Sequence, residues 1–389
     1  MFVNQIFWFD GEVYSTDTAY VLFLCSFTTE FDEVVLLGRL SPERGRRSYV
    51  LNHKSVRFVP LPYYPSNRSI WKVGPHFYYR VRQAIRSHAN DWDLLWVEGP
   101  HPLAHCVARQ WASMRKPLIL IARMDIVRWM ASIHRGPKWI LATGLAWLLD
   151  RRFRQLATYR TVFAVGTALT ELYRGRKTQS YTFYPSLVSE KERLSLLERP
   201  RPADSARLIC VGRLAKEKGI NDLLTALTDL KDLNCVLDLV GSGPEEDDLK
   251  GQVTRLGLEQ RVTFHGYIDF GPTLFDFYQR STVLVVPSLS EGFPQVIIEA
   301  LACGLPIIAS DVGGISGFLK DRHTALLIPA GNPGAIAIAI REIFARPELR
   351  RKLVENGQKS MLDLTLEAQR TRIMDIMKKD SLVPMRACS

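Results

Sequence analysis

The chain has 389 residues, of which 47% are apolar and 23% are charged. This composition excludes a disordered or collagen-like chain, and the length predicts two domains that each bury a core. The net charge of +11 is uneven, because residues 1–195 carry about 27 basic and about 15 acidic side chains while the remainder is close to neutral. Nucleic acid, an anionic membrane, a phosphate-bearing substrate or solubility alone would each account for the basic first half.

The chain begins with MFVNQIFWFDGEVYS, which has no basic region before its apolar residues. It therefore predicts a first strand and loop instead of a signal peptide. The cysteines are scattered, with no CxxC pair and no histidine at metal-ligand spacing, which argues against a disulfide framework or a zinc site. We expect a cytoplasmic protein that needs no metal.

The first half alternates short apolar runs with longer helical stretches. EVVLLG, DLLWVEG, PLILIAR and TVFAVG begin at residues 33, 93, 117 and 161, and each is followed by loop residues. This order of strand, helix and strand predicts a parallel sheet covered on both faces. We assign residues 1–190 to a first Rossmann-like domain.

A basic, tryptophan-rich segment lies within that domain at residues 128–160. Its longest apolar stretch, WILATGLAWLL, is well short of the roughly 20 residues that span a bilayer. Such a segment can lie in the headgroup layer of an anionic membrane, and a core helix with a solvated basic end is the alternative. The residues that give it this character are Trp129, Trp139, Trp147, Arg128, Arg135, Lys138, Arg151, Arg152 and Arg154.

The domain junction is predicted at residues 189–207, SEKERLSLLERPRPADSAR, which contain two prolines and little apolar periodicity. Beyond it, short strands ending in Gly, Pro or Ser begin near residues 207, 234, 261, 282, 305 and 325. We therefore expect an α/β protein with two doubly wound, Rossmann-like domains. Ligands of such domains bind at the carboxyl ends of the strands, here facing a cleft between the domains.

The loop after the strand at residue 207 is a candidate anion site. Gly212 begins a tight loop in VGRLAKEKGINDLL, and a helix is predicted from about Ile220. Arg213 and Lys218 then lie beside a helix N-terminus, where backbone N–H groups and the helix dipole favour an anion such as a diphosphate. Ordinary solvated loop cations are the alternative.

Glycines follow the next strand, in the sequence GSG at 241–243. The full GxGxxG fingerprint is missing, because Pro244 and two glutamates come next. Gly241 therefore marks either a close approach of the backbone to a ligand or a simple turn at the end of a strand.

Two carboxylates flank a turn in SEGFPQVIIEALACGLPIIAS, residues 290–310. If a helix starts at or just after Pro294, Glu291 lies in the loop and Glu299 on the helix, so they do not share a helical face. Backbone N–H groups of Phe293 and Gln295 can donate to the same ligand. This arrangement suits two sets of hydroxyl groups, as in the sugar and ribose of a sugar nucleotide, better than the paired acid and base of a glycosidase.

These motifs together resemble the retaining GT-B glycosyltransferases of family 4, the glycogen-synthase-like superfamily also called glycosyl transferases group 1. SLSEGFPQVIIEALACGLPIIASDVGGISGFL resembles the signature of that family, a Glu separated by seven residues from a second Glu. VGRLAKEKGINDLL, LVGSGPEEDDLK and VTFHGYI are similar to its other motifs and occur in the family's order. The resemblance covers roughly residues 205–345.

The resemblance implies a role for each matching residue. Arg213 and Lys218 would hold the donor diphosphate, Glu299 would bind the ribose, and Glu291 would orient the donor sugar together with the backbone of Gly292, Phe293, Pro294 and Gln295. Gly212 would complete the donor site, and Gly241, Gly266 and Tyr267 would frame the base. Catalysis would fall to Glu291, Arg213 and Lys218, with no metal, because positive groups stabilise the leaving diphosphate.

The first half departs from that family. Most members have a Gly-Gly loop after the first strand, where this chain offers only Gly11. Where members often have a histidine, this chain reads ILIARMDIVR, so Arg123 or Asp125 takes that place on the acceptor side. The tail, residues 366–389, is expected to form the helix that crosses back to the first domain in GT-B proteins, leaving residues 191–365 as the donor domain.

The function implied is transfer of a hexose-type sugar, with retained configuration, from a UDP- or GDP-sugar to a glycan or polyprenyl-linked acceptor in bacterial surface polysaccharide biosynthesis. The protein would be cytoplasmic and peripheral on the membrane through residues 128–160. A GT-B nucleotide-sugar epimerase and a catalytically silent sugar-nucleotide-binding subunit are the alternatives. Nucleic acid is not expected as a partner, because the basic excess comes without a recognised binding motif.

Overall fold

The computed structural model describes residues 1–65, 69–88, 90–133, 137–199 and 206–383. The chain forms two compact units, which we describe separately. Unit 1 is Met1–Leu187 together with the chain from Gln369 onward, and unit 2 is Val188–Ala368. Each boundary lies three residues from the predicted one, at 187 against 190 and at 368 against 365.

Unit 1 is built on a doubly wound parallel sheet. Its strands are β1 Phe2–Phe9, β2 Tyr14–Thr16, β3 Val34–Leu40, β4 Tyr49–Leu51, β5 Val56–Leu61, β6 Leu95–Gly99, β7 Leu118–Ala122, β8 Thr161–Val165 and β9 Gln179–Phe183. The parallel order is β5-β3-β1-β6-β7-β8-β9, and β2 and β4 extend it as antiparallel strands beside β1. Strands β7 and β8 are buried along their whole length, which explains their continuous apolar sequences.

The helices of unit 1 cover this sheet. They are α1 Tyr20–Cys25, α2 Ile70–Ser87, α3 Pro102–Ala112, α4 Ile126–Ile133, α5 Pro137–Ala157 and α6 Thr167–Tyr173. The C-terminal helix, α15 Leu366–Lys379, belongs to this unit from Gln369 onward. There the backbone N–H of Tyr184 donates to Gln369 Oε1 at 2.7 Å, and Thr161 donates to Asp380 Oδ2 at 2.6 Å. These bonds tie the end of the chain to β8 and β9.

Unit 2 repeats the same strand order. Its strands are β10 Arg207–Val211, β11 Val236–Val240, β12 Val262–Phe264, β13 Val283–Val286, β14 Ile307–Ser310 and β15 Leu326–Ile328. They pair in parallel in the order β12-β11-β10-β13-β14-β15. The remaining helices are α7 Glu190–Glu198, α8 Ile220–Thr228, α9 Glu246–Leu256, α10 Pro272–Gln279, α11 Gln295–Ala302, α12 Gly313–Ser316, α13 Pro333–Ala345 and α14 Pro347–Met361. The fold class predicted from the sequence is confirmed in both units.

The first part of the predicted junction at residues 189–207 forms helix α7. Ser189 Oγ accepts from the N–H of Glu192 at 3.2 Å, and Glu192 Oε2 accepts from the N–H of Ser189 at 2.8 Å. Arg193 adds an ion pair with Glu190 at 2.6 Å. This capping box and ion pair stabilise a helix that has little apolar periodicity. Residues 200–205, in the same junction, lie outside the described residues.

Candidate functional site

In unit 2 the strand order reverses between β10 and β13, and parallel α/β sheets bind ligands at such a switch point. The loop after β10 carries Gly212, Arg213 and Lys218, and the loop after β13 carries Ser288 and Glu291. The topology therefore brings the predicted diphosphate-binding cations and the first predicted carboxylate to neighbouring strand ends.

Backbone contacts between the loops fix their positions. A Cβ atom on Gly241 would lie 1.8 Å from the carbonyl oxygen of Gly212, and one on Gly313 would lie 1.9 Å from that of Glu291. Both glycines also have positive φ, +141° and +53°. Any side chain at these two positions would push a loop out of place, so the glycines hold the loops after β10, β11, β13 and β14 together.

Lys218 and Glu291 form an ion pair at the centre of this group of loops. Glu291 Oε1 also accepts from Ser288 Oγ at 3.0 Å. The two side chains keep 25% and 10% of their surface exposed. Burial raises the pKa of the Cys210 thiol on β10 to about 12, and the charges of Lys218 and Glu291 also act on it. The pair thus lies next to the end of β10.

Arg213 is exposed and forms no ion pair or side-chain hydrogen bond within the described part of the chain. Lys218 lies in a short 3-10 helix, Lys216–Lys218, that leads directly into α8, which starts at the predicted Ile220. Lys218 has an ion-pair partner in Glu291, whereas Arg213 is open to solvent. Together they can neutralise a diphosphate placed at the switch point.

Glu299 occupies a different environment from Glu291. It lies on α11, which begins at Gln295 after Pro294 as predicted, and only 6% of it is exposed. The hydroxyl of Tyr278 donates to Glu299 Oε2 at 2.6 Å. Burial raises the pKa of Glu299 to about 7, and the Tyr278 bond opposes that rise. The carboxyl group is therefore held in one orientation and titrates near neutral pH.

The remaining predicted donor residues line the same edge of the sheet. The ring of Phe293 packs edge to face on that of Phe318, with centroids 5.1 Å apart, and this anchors the loop that contains Gly292. Beyond β12, the N–H of Gly241 donates to the carbonyl of Gly266 at 2.7 Å, and the neighbouring Tyr267 is 41% exposed. The structure thus gathers the predicted donor residues at the carboxyl ends of the strands of unit 2.

The predicted acceptor-side residues of unit 1 have other surroundings. Gly11 lies at the tip of the hairpin between β1 and β2, with φ +106° and no atom of the described residues within 4 Å of a Cβ placed on it. The flanking Asp10 holds this turn by accepting from the N–H groups of Glu12 and Val13, both at 3.0 Å. The first strand therefore leads into a hairpin, and the glycine serves the turn.

Arg123, at the end of β7, meets two residues that the sequence analysis did not single out. Its guanidinium lies 3.9 Å from the centre of the Tyr20 ring and 3.4 Å from Glu98 Oε1. Burial raises the pKa of Glu98, and the charge of Arg123 opposes that rise. Glu98 could have been identified from the sequence, because it is a carboxylate at the end of the buried run DLLWVEG, next to the switch point between β1 and β6.

Asp125 starts helix α4. Its Oδ1 accepts from the N–H groups of Val127 at 3.1 Å and of Arg128 at 3.0 Å. This is the pattern of a helix N-cap. The structure therefore gives Asp125 a local structural role, while Arg123 takes part in the buried cluster with Glu98 and Tyr20.

Helix α5 exposes its apolar first half. Ile140 is 69% exposed, Leu141 79%, Leu145 56% and Trp147 52%. The guanidinium of Arg151 lies 5.3 Å from the ring centre of Trp147. This exposure disagrees with the alternative of a core helix. Arg135 and the side chain of Lys138, which belong to the predicted membrane segment, lie outside the described residues.

The described residues contain neither a membrane-spanning helix nor a metal-binding cluster. None of the helices they form is both long enough and apolar enough to cross a membrane. In the same residues, no group of three or more His, Cys, Asp or Glu side chains is arranged to hold a metal ion.

The part of the chain that matches a known protein family lies in unit 2. Residues 197–360 match the family described as "Glycosyl transferases group 1". Among curated proteins, the lipopolysaccharide core biosynthesis glycosyltransferase LpsD of Rhizobium meliloti (strain 1021) is 32% identical over 160 residues, which are 41% of this chain and 45% of that protein. The chain spans less than half the length of each of the curated relatives compared, from 37% to 46%.

Solved structures match both units. Sucrose-phosphate synthase from Thermosynechococcus elongatus superposes with a TM-score of 0.73 at 23% identity, over 92% of this chain and 91% of that one. Anabaena Alr3699/HepE in complex with UDP-glucose gives a TM-score of 0.70 at 19% identity, over 96% and 99%. The chain has the GT-B fold, and its residues 197–360 match the glycosyl transferases group 1 family. The resemblance inferred from the sequence is confirmed for the fold and for the family match of residues 197–360.

Proposed function

We propose that this protein is a retaining, metal-independent glycosyltransferase that moves a hexose-type sugar from a UDP- or GDP-sugar to a glycan or polyprenyl-linked acceptor. The observation that carries the proposal is the Lys218–Glu291 pair at the switch point of the unit that matches group 1 glycosyl transferases. A cation and a carboxylate in contact there suit a ligand that joins a diphosphate to a sugar.

Each site residue then has a role. Lys218 and Arg213 bind the two phosphates. The diphosphate replaces Glu291 as the ion-pair partner of Lys218, so Glu291 can accept hydrogen bonds from sugar hydroxyls. Glu299 accepts from the ribose hydroxyls, since Tyr278 already fixes the orientation of its carboxyl group. The loop Gly292–Gln295 supports the sugar through its backbone, and the strand ends at Gly212, Gly241, Gly266 and Tyr267 surround the base.

In the reaction, the bond between the anomeric carbon and the phosphate oxygen breaks, and a bond to the acceptor oxygen forms on the same face of the sugar. The acceptor proton goes to the leaving phosphate oxygen, and a nucleoside diphosphate leaves. Lys218 and Arg213 stabilise the negative charge that develops on this leaving group, which is the task a metal ion performs in other transferases. Arg123 and the cluster around Glu98 lie on the acceptor side.

The proposed class of acceptor is supported by the names of similar proteins. LpsD is named for lipopolysaccharide core biosynthesis, TuaC of Bacillus subtilis for teichuronic acid biosynthesis, and the HepE structure holds UDP-glucose. We infer a role in bacterial surface polysaccharide assembly on the cytoplasmic face of the membrane. Residues 128–160 would hold the protein there, because α5 exposes apolar side chains next to a run of arginines.

The test is a turnover assay in EDTA with UDP- and GDP-sugars and lipid-linked acceptors. The proposal predicts a glycosylated acceptor whose new linkage keeps the donor's anomeric configuration, as read by NMR. Donor incubated alone separates the alternatives, because an epimerase would change the sugar nucleotide without an acceptor. Donor binding without turnover under any condition would instead indicate the silent subunit.

A further inference from the structure

A cavity of about 490 Å³ lies between helices α2 and α3 of unit 1, and none of its lining residues belongs to the candidate donor site. Among its described lining residues there is no Asp or Glu. The polar and charged side chains that line it are Tyr78, Arg82, Arg86, His105, Arg109, Gln110 and Ser113. A cavity with this lining has a positive potential that favours an anion.

The basic side chains come from two facing helices. Arg82 and Arg86 lie one turn apart on α2, and His105 and Arg109 lie one turn apart on α3, so each pair shares a helical face. Within the described residues, none of these three arginines forms an ion pair or a side-chain hydrogen bond. Other arginines of this unit are compensated, as Arg57 is by Glu33 at 2.9 Å and Arg47 is by Asp10 at 2.7 Å. The cavity therefore collects uncompensated positive charge.

Two residues that line the cavity each have a polar atom without a partner in the described structure. His105 Nδ1 and Gln110 Oε1 are both buried and without a hydrogen bond. Burial lowers the pKa of His105, and the charges of Arg152 and Arg109 lower it further. A phosphate bound in the cavity beside His105 would offset those charges.

The cavity is linked to the exposed apolar surface of α5. Arg152 on α5 is close enough to affect the pKa of His105, and α3 packs against α5. Leu148, which is 40% exposed, lies one turn before Arg152, about 6 Å along the helix axis. Apolar side chains one turn from a basic side chain match the boundary between acyl chains and headgroups.

We propose that this cavity, lined by Arg82, Arg86, His105 and Arg109, binds the phosphate of an anionic glycerophospholipid while the apolar half of α5 enters the lipid layer. The inference rests on the proposed membrane association of residues 128–160 and adds a specific headgroup site to it. A second basic cavity, of about 590 Å³, fits less well, because its lining includes Asp380 and its Arg160 and Lys177 donate to Leu156 and Tyr159.

The test compares two variants of equal charge on the full chain. Arg82→Gln combined with Arg109→Gln removes two cavity charges, and Arg174→Gln combined with Arg176→Gln removes two exposed charges after α6. Co-sedimentation is measured with vesicles of phosphatidylcholine, with and without phosphatidylglycerol. We expect the cavity variant to bind the anionic vesicles about thirtyfold more weakly than wild type, and the control to stay within about threefold.

A second readout uses His105 itself. Histidine NMR, assigned with His105→Gln, should show the pKa of His105 rising when a short-chain phosphatidylglycerol is added, and no rise in the cavity variant. Equal vesicle binding by the cavity variant and the control would overturn the headgroup site but leave membrane association intact. An equal rise with inorganic phosphate or glycerol phosphate at the same concentration would overturn the lipid as ligand.

Failure of the wild type to bind anionic vesicles would overturn both this inference and the membrane association. Neither result bears on transferase chemistry, which is followed separately through nucleotide-sugar binding by unit 2. The cavity variant should keep that binding unchanged.

Discussion

The two units share one strand order around a switch point, yet their loops there are built differently. In unit 2 the loops after β10, β11, β13 and β14 touch through glycine backbones, and they hold Lys218 against Glu291. In unit 1 the strand β1 runs into a hairpin, and the nearby charges of Glu98 and Arg123 form a buried cluster with Tyr20. One sheet topology therefore supports two kinds of site, and the difference lies in the loops.

The largest expected effect tests whether the chemistry depends on unit 2. Lys218→Met should lower kcat by about 10² to 10³, because a cation that stabilises the leaving diphosphate is lost. Steady-state transfer kinetics measure the change. The matched control is Lys216→Met, because Lys216 lies two residues away and contacts Glu245 only at 4.0 Å. Equal rates for the two variants would show that the Lys218–Glu291 pair is structural.

A second prediction concerns the buried carboxyl group of unit 2. Because burial raises the pKa of Glu299 to about 7, above the value near 4.3 expected in an unfolded chain, the folded protein keeps a proton that the unfolded chain loses. Its contribution to stability is fully present below about pH 4.3 and is lost as the pH rises from there through 7, on the order of 3–4 kcal/mol in all. Wild type should therefore lose more stability than Glu299→Gln between pH 5.5 and pH 8.

The same titration affects the donor. If ribose hydroxyls donate to Glu299, the donor KM of the wild type should fall as the pH rises from 6 to 8, since the carboxylate is the better acceptor. Glu299→Gln should show a flat profile over this range. Parallel profiles for the two proteins would separate Glu299 from ribose binding.

The next prediction perturbs unit 1 alone. Arg123→Ala removes the cation over Tyr20 and the partner of Glu98, so we expect unit 1 to lose about 1–2 kcal/mol of stability. The pKa of Glu98 should rise further. Transfer to the acceptor should weaken, while the thermal shift caused by donor nucleotides in unit 2 stays unchanged. Loss of donor binding in this variant would contradict the separate roles of the two units.

The smallest effect is expected at Asp125. Asp125→Asn keeps a capping oxygen for α4 and should leave transfer within about twofold and stability within a few tenths of a kcal/mol. Asp125→Ala should cost about 1 kcal/mol, measured by urea unfolding. A large fall in kcat for the asparagine variant would instead give this carboxylate a part in acceptor chemistry.

The fold of unit 2 and the loops that carry its candidate site could be predicted because they depend on local signals. Strand ends followed by glycines, and the spacing of Glu291 and Glu299, can be read from neighbouring residues. The pairing of Lys218 with Glu291 and the bond from Tyr278 to Glu299 could not be predicted, since those partners come from distant segments. Helix α7 was missed because capping and an ion pair stabilise it, and neither creates apolar periodicity.

Unit 1 was harder to predict for a related reason. Its family-like glycine loop is replaced by a hairpin, which depends on the pairing of β1 with β2. The cluster of Glu98, Arg123 and Tyr20 joins three segments whose carboxylate, cation and phenol are unremarkable when read singly. The exposure of α5 depends on which neighbours it lacks, and a helical sequence does not report that.

The proposed function depends on unit 2 binding a nucleotide sugar through Lys218 without a metal. Calorimetric titration of UDP and GDP in EDTA, on wild type, Lys218→Met and Lys216→Met, measures this binding. We expect one nucleotide to bind wild type and Lys216→Met alike and to bind Lys218→Met at least about tenfold more weakly. Equal binding by all three proteins, or binding only after a divalent metal is added, would contradict it.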